Sequence, residues 1–377
     1  ADVEQRNLQN NIVGLEASRL FARSEINMGV DAFRDSLYAM LKRNTFLNIK
    51  FENMLDTLGE MSRTDLYSYL KEWEQLTPLP FYSIGEPELT KVVNKGGEEF
   101  FVLKVLVSNN SDYDGIIQMN VLQNGWWYQP MEDPRARKKV EIAAHTSKEF
   151  VSVWEEQIRD VEINTMVSGN LPYMIRQSIG NVKQERNKIV KDTIYTLPES
   201  SLEMPGEVIV DNEDSTLFVL STPAVVGLLP KWLDKVEDTS FKYSGISWWR
   251  APLQWTATTN AKYYGKYIRS AYVIKSGDGS QTATWKIPVP EAGQYELYYH
   301  VFKDDELRWN DRLQGEYHFR VAYDSEMEDA YINLRKANEG WEQLGTYYFS
   351  ADTVRVVLTD ECKLRSVTAD AVKIVKR

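Results

Sequence analysis

Thr77-Pro78-Leu79-Pro80 is where this sequence changes period. Upstream, apolar residues recur at spacings of three and four, in Ile12, Leu15 and Leu20 and again in Phe33, Leu37, Tyr38 and Leu41, which builds one face of a helix. Asp31 reads as an N-cap, and Ser62-Arg63-Thr64-Asp65 as a capping-box-like start to Leu66–Glu74. Residues 1–78 are therefore expected to form a helical bundle of three to five antiparallel helices. The two prolines close it, because proline cannot donate within a helix and restrains the residue before it.

Downstream the period is two. Phe100-Phe101-Val102-Leu103-Lys104-Val105-Leu106-Val107 reads as a strand apolar on both faces, Asn109-Asn110-Ser111-Asp112 as a turn, and Ile116–Leu122 as a second strand. Val140–Ala143, Glu149–Trp154 and Val161–Val167 add three more, so residues 81–182 are expected to be an immunoglobulin-like β-sandwich without the paired cysteines of antibody domains. Residues 183–206 are polar and read as a linker with at most one strand. Residues 207–377 carry strand candidates at Ala271–Lys275, Thr282–Ile287, Tyr295–Phe302, Tyr317–Ala322, Tyr347–Phe349, Val354–Leu358 and Ala371–Val375. Pro288, Pro290 and Gly293 mark a hairpin or sandwich corner, and the region is expected to be a jelly-roll-like β-sandwich. The fold class is thus multidomain, helical first and all-β afterwards.

The 377 residues fit two or three domains. A composition 43% hydrophobic and 26% charged is that of a globular chain, and no stretch approaches the ~18 apolar residues of a membrane span. The net charge of −11 argues against a nucleic-acid footprint. The chain opens at Ala1 without an initiator Met, a basic segment or an apolar targeting run, and is expected to be a mature or excised piece of something longer.

Three histidines, His145, His300 and His318, are too few and too scattered for the paired helix histidines of a zinc peptidase. No G-x-S-x-G elbow is present, and Cys362, with no histidine near it, reads as a buried or inert thiol. Gly277-Asp278-Gly279-Ser280 reads as a hairpin turn. Asp304, Asp305 and Asp311 share a loop with Trp309, and their hard oxygens would suit calcium or an acid/base pair, although Arg308 and Arg312 interleave to pair them internally. Asp211-Asn212-Glu213-Asp214 reads as a turn.

Aromatic residues carry the binding hypothesis. Eleven Trp and 21 Tyr are many for one chain. Trp248, Trp249, Trp255, Tyr263, Tyr264, Tyr267 and Trp309 fall where alternation breaks, so as loop residues they could stack on pyranose rings; the competing reading buries them between domains. Trp126-Trp127-Tyr128 reads as an interface anchor.

Two family resemblances enter here. Val210-Asp211-Asn212, Tyr264-Gly265, Thr282-Ala283-Thr284-Trp285, Ala292-Gly293-Gln294-Tyr295-Glu296-Leu297-Tyr298, Gly340-Trp341-Glu342-Gln343-Leu344-Gly345-Thr346-Tyr347-Tyr348-Phe349 and Thr368-Ala369-Asp370-Ala371-Val372-Lys373-Ile374 make the last region resemble the golvesin C-terminal-like, or xanthan-lyase carbohydrate-binding-like, domain. The resemblance implies an extracytoplasmic β-sandwich attached to larger secreted or membrane proteins and presumed to bind glycans. The 222–255 stretch departs from it as an insertion. Physically, Gly340-Trp341 reads as a turn delivering a core Trp and Asp370 as a polar partner for a loop, both of them scaffold and not ligand groups. The front half, through Leu66-Tyr67-Ser68-Tyr69-Leu70-Lys71-Glu72-Trp73 and Leu79-Pro80-Phe81-Tyr82, is similar to the non-catalytic C-terminal tail of membrane-bound zinc aminopeptidases fused to transporter permeases. Without an H-E-x-x-H of its own, this chain does not inherit that activity.

The sequence therefore reads as a non-catalytic accessory region of a larger cell-envelope protein, facing the periplasm or the exterior. Its ligand would be a glycan, a cell-envelope polysaccharide or a partner, taken by Trp248, Trp249, Trp255, Tyr264, Trp309, Asp304 and Asp311, with calcium as a candidate ion at Asp304, Asp305 and Asp311. The alternatives are an architectural tail that orients an upstream zinc aminopeptidase domain, and a polysaccharide lyase or hydrolase using the loop carboxylates.

Overall fold

The computed structural model describes residues 3–74, 78–123, 133–180, 182–186, 190–200, 202, 206–221, 242–246, 250–303, 315–324 and 326–377. The chain is mostly β with few helices, and it divides into two compact units, Ala1–Leu202 and Glu203–Arg377.

The first unit opens with α1 (Val3–Met28), α2 (Val30–Arg43), α3 (Phe51–Ser62) and α4 (Leu66–Glu74). Gly29, at φ 85°, separates α1 from α2, a conformation that glycine adopts without steric cost. Asp31 therefore lies inside the first turn of α2 instead of capping it, and pairs with Arg34 at 3.1 Å. Asp65 supplies the cap of α4: its carboxylate accepts the Ser68 amide at 3.1 Å and hydroxyl at 2.6 Å. Ser62, the first residue of the expected box, instead ends α3 and donates back to the Leu58 carbonyl. Leu20, Phe33, Met40, Leu55, Leu58 and Leu66 bury the helices against one another.

Ten strands complete the unit: β1 (Tyr82–Ile84), β2 (Glu88–Val93), β3 (Glu99–Asn109), β4 (Gly115–Gln123), β5 (Arg137–Ile142), β6 (Thr146–Trp154), β7 (Ile158–Asn164), β8 (Met174–Ser178), β9 (Val182–Arg186) and β10 (Thr193–Pro198). They form a sheet in the order β10-β6-β3-β2-β9, with β1 also on β3, and a second in the order β5-β4-β7-β8. Leu103, Val105, Phe150 and Trp154 of the first meet Ile117, Met119, Val121 and Val161 of the second in one core. Helix α1 is fixed to the second sheet. Ala22 and Ile26 cluster with Ile116 and Met166, Arg23 reaches Glu141 at 2.6 Å, and Lys139 pairs with Glu25. The helices thus share a unit with the first β-region, and the prolines at 78 and 80 do not divide units. The expected linker at 183–206 holds most of β9, parallel to β2, and all of β10, antiparallel to β6.

The second unit contains β11 (Glu207–Val210), β12 (Phe218–Leu220), β13 (Thr256–Thr259), β14 (Ser270–Lys275), β15 (Thr282–Pro288), β16 (Gly293–Val301), β17 (Glu316–Tyr323), β18 (Glu326–Asn333), β19 (Gly340–Phe349), β20 (Thr353–Thr359), β21 (Ser366–Ala369) and β22 (Val372–Lys376). A jelly roll has two sheets; among the described residues this unit has three, β11-β22-β16-β19, β12-β15-β20-β17-β18 and β13-β14-β21. All three feed one core that includes Val210, Phe218, Ile274, Trp285, Tyr299, Phe319, Phe349 and Ile374. Gly277-Asp278-Gly279-Ser280 is not a hairpin turn. It carries the chain from β14 to β15, which lie in different sheets, and Asp360 holds it by accepting the Gly279 amide at 2.8 Å.

Candidate ligand-binding face

Strand β16 alternates cleanly. Tyr295, Leu297, Tyr299 and Val301 are buried in the core, so Gln294, Glu296, Tyr298 and His300 occupy the other face. A register shift after Leu297 keeps the neighbouring strand in step, placing Tyr348 opposite Gln294, Thr346 opposite Glu296, Gln343 opposite Tyr298 and Trp341 opposite His300. On the other side of β16, Lys373 of β22 lies opposite Tyr298. The outward face of this four-stranded sheet is therefore a row with aromatics at both ends and in the middle, roughly 20 Å long at ~3.4 Å per residue.

Its richest end gathers around Trp341. The Tyr264 ring lies 5.1 Å from it, the His300 ring stands edge-on at 5.1 Å, and the Lys373 ammonium sits 4.8 Å from its centroid and 5.4 Å from that of Tyr298. Glu207 anchors Lys373 at 2.9 Å, and Tyr298 donates to Glu296 at 2.6 Å, a bond that raises the phenol pKa. Asp370 sets the cluster from beneath. Fully buried, it meets His300 Nδ1 at 2.8 Å and accepts the Tyr264 backbone amide at 3.2 Å. Burial pushes its carboxyl pKa up, and the His300 contact opposes that shift. With Nδ1 engaged, Nε2 is the His300 atom left to meet a ligand.

Of the residues singled out from the sequence, Tyr264 stands in this cluster, half-buried. Trp255 does not; it packs, partly buried, against the core of the unit. Trp248, Trp249, Trp309, Asp304, Asp305 and Asp311, like Trp126-Trp127-Tyr128, lie outside the described residues. Trp341 reverses its expected role: it faces outward from β19 instead of filling the core. Tyr298, His300 and Lys373 went unread as site residues, although the alternation around Tyr295, Leu297 and Tyr299 carried the signal. Cys362 is a free, partly buried thiol whose pKa burial raises.

Each histidine has its own carboxylate partners. His145 meets Asp112 and Glu199, His300 meets Asp370, and His318 meets Asp329. Among the described residues no three His, Cys, Asp or Glu side chains converge on a metal position.

The acidic turn after β11 is the turn expected, closed by the Asp211 amide on Asp214 at 2.8 Å. Burial, then the neighbouring Asp370, push the Asp211 carboxyl well above its ordinary value. The folded state therefore keeps this proton to higher pH than the unfolded chain does, and stability falls as pH rises above about 4. Asp211→Asn keeps the acceptor for the Asn212 amide and removes the charge. Thermal melts from pH 3 to pH 8 are expected to show the variant more stable than the parent at pH 7, with the gap closing toward pH 3.

No curated protein matches the chain. Among solved structures it is similar to xanthan lyase from Paenibacillus, at 17% identity and a TM-score of 0.32, over 80% of this chain and 27% of that one. A β-glucuronidase from Bacteroides uniformis aligns over 84% of this chain and 32% of its own at 9% identity and a TM-score of 0.21. The chain thus spans about a quarter to a third of the length of these proteins. The family match is to the golvesin C-terminal domain, and it spans residues 248–376, which include every strand from β13 to β22 and the aromatic face around Trp341.

Proposed function

We propose that this chain is a non-catalytic accessory region that holds a glycan on the outward face of β16, β19 and β22. The observation that carries this reading is the set of Trp341, Tyr264, Tyr298 and His300 side chains, brought together on one sheet face and oriented by buried Asp370 and by Lys373. Aromatic faces take the apolar faces of pyranose rings, while the His300 ring, Gln343 and Glu296 offer hydrogen bonds at their edges. The row from Trp341 to Tyr348 is longer than one sugar, which favours a polysaccharide over a monosaccharide. We place the region in the periplasm or outside the cell, as part of a larger envelope protein.

Affinity gel electrophoresis against a panel of polysaccharides tests this. At least one should retard the chain, and Trp341→Ala should weaken retention roughly tenfold, a loss of about 1.4 kcal/mol. A Trp255→Phe variant should behave as the parent. No retention across the panel, or equal retention by Trp341→Ala, would remove the proposal, and release of sugar products would replace it with the lyase or hydrolase reading.

A second reading rests on the first unit. Arg23–Glu141 and Lys139–Glu25 rivet the helices to a sheet, as a rigid adapter requires. In that reading the region orients a zinc aminopeptidase domain of its parent protein. Chelator-sensitive peptidase activity in the parent, lost on loosening those two ion pairs, is the result it expects.

A further inference from the structure

The turn between α2 and α3 shows its apolar residues to solvent and folds its polar ones away. Phe46 is 103% exposed and Leu47 66%, and Tyr38, Leu41 and Phe51 are exposed on the helix turns that flank them. Asn44 donates its side-chain amide to the Met40 carbonyl at 2.8 Å, and Thr45 its hydroxyl to the Lys42 carbonyl at 2.8 Å. The Leu47 amide reaches the Asn44 carbonyl at 2.9 Å. Carbonyls at the end of α2 that would otherwise need water are thus met within the turn. Phe46 holds φ 68°, a left-handed backbone that a bulky residue rarely adopts. Its ring, kept outward on a strained backbone, adds nothing to the core, and an exposed apolar patch of this kind marks contact with something outside the chain.

The charges around the patch select the partner. From Ser36 to Phe51 the sequence holds Lys42, Arg43 and Lys50 and no acid, in a chain with 55 acidic residues and a net charge of −11. All three cations are exposed, and none forms an ion pair among the described residues. The nearest acids are Asp35, which Arg34 holds at 3.4 Å, and Glu52 in the first turn of α3. An apolar tip ringed by cations matches a bilayer surface, whose acyl boundary takes the rings and whose anionic headgroups take the charges. We propose that the α2–α3 turn docks the chain on an anionic lipid surface, with Phe46 and Leu47 entering the headgroup boundary and Lys42, Arg43 and Lys50 meeting lipid phosphates. The acidic remainder of the chain is screened beyond about 8 Å at physiological ionic strength, so the local cluster decides the contact. Among the described residues no helix is long and apolar enough to cross a membrane, and docking at the interface requires none. The site lies in the first unit and needs no glycan.

Cosedimentation of the full chain with lipid vesicles at physiological ionic strength tests the proposal. Vesicles of phosphatidylcholine mixed with phosphatidylglycerol should bring the chain down, and phosphatidylcholine alone should need roughly tenfold more lipid for the same fraction bound. Replacing Lys42, Arg43 and Lys50 together by Gln should erase that preference. Phe46→Gly removes the ring and frees the backbone, so it should weaken binding to the mixed vesicles roughly tenfold while holding or raising the melting temperature. A Phe46 that served only the fold would give the reverse, a lower melting temperature with unchanged sedimentation. The proposal is overturned if the parent chain stays in solution with the mixed vesicles, sediments equally with both lipids, or binds no better than Phe46→Gly. The first of these outcomes would leave the patch to a protein partner.

Discussion

Trp285→Ala is expected to destabilise the second unit by about 3–5 kcal/mol, the range for deleting a large aromatic side chain from a packed core. Trp285 is fully buried on β15. It lies 5.4 Å from Phe218, meets Tyr299 edge-on at 6.1 Å, and donates its indole N–H to the Asp370 carbonyl at 3.2 Å. The substitution therefore opens a void among aromatics that cannot all collapse into it, and strips the donor from a buried carbonyl. Hydrogen exchange read by peptide is the decisive measurement because it resolves the two units: β15, β16 and β20 should lose protection by orders of magnitude, while β3 and β6 of the first unit keep theirs. Uniform loss across both units, or none, would contradict the packing described here.

Elements with one buried face were legible in the sequence, and elements defined by their partners were not. Phe100–Val107 and Tyr295–Phe302 read as strands because their residues fit a buried, pleated surface whatever lies beside them. β18 is polar and largely exposed, with only Ala330 and Ile332 buried, and it is a strand because it pairs with β17 along its length. β9 is similar: four of its five residues are exposed, and it exists through parallel pairing with β2. Gly340-Trp341 was misread because glycine signals a turn. Gly340 does take φ 99°, but it opens β19 and turns Trp341 outward. The candidate site was the hardest to read. His300 and Asp370 are seventy positions apart, and the pairing of β16 with β22, which begins two residues after Asp370, brings them together. Tyr264 breaks alternation in a loop, and its ring stands beside Trp341. Trp255 does so too, yet it packs partly buried, since broken alternation identifies a loop without saying which way its rings turn.

Asp370→Ala is expected to cost about 3–5 kcal/mol as well, for an electrostatic reason. The carboxylate is the shared acceptor of the His300 ring and the Tyr264 backbone amide, and its removal takes this acceptor from two partly buried donors. The turn behind Tyr264 is tight enough to require glycine. Gly265 sits at φ 152°, and a Cβ there would fall 1.9 Å from the Ile268 carbonyl oxygen. The loop should therefore pull away from His300 as a piece, carrying the Tyr264 ring off Trp341. Asp370→Asn separates the two consequences of the loss. Its amide oxygen can still accept one of the two N–H groups, so it should recover more than half of the stability without restoring the His300 contact. Urea denaturation followed by tryptophan fluorescence, alongside polysaccharide retention, should thus order stability as parent, Asn, Ala, with both variants impaired in retention. Retention by the Asn variant equal to the parent would mean that Asp370 supports only the fold, and that His300 needs no carboxylate to hold its place in the binding face.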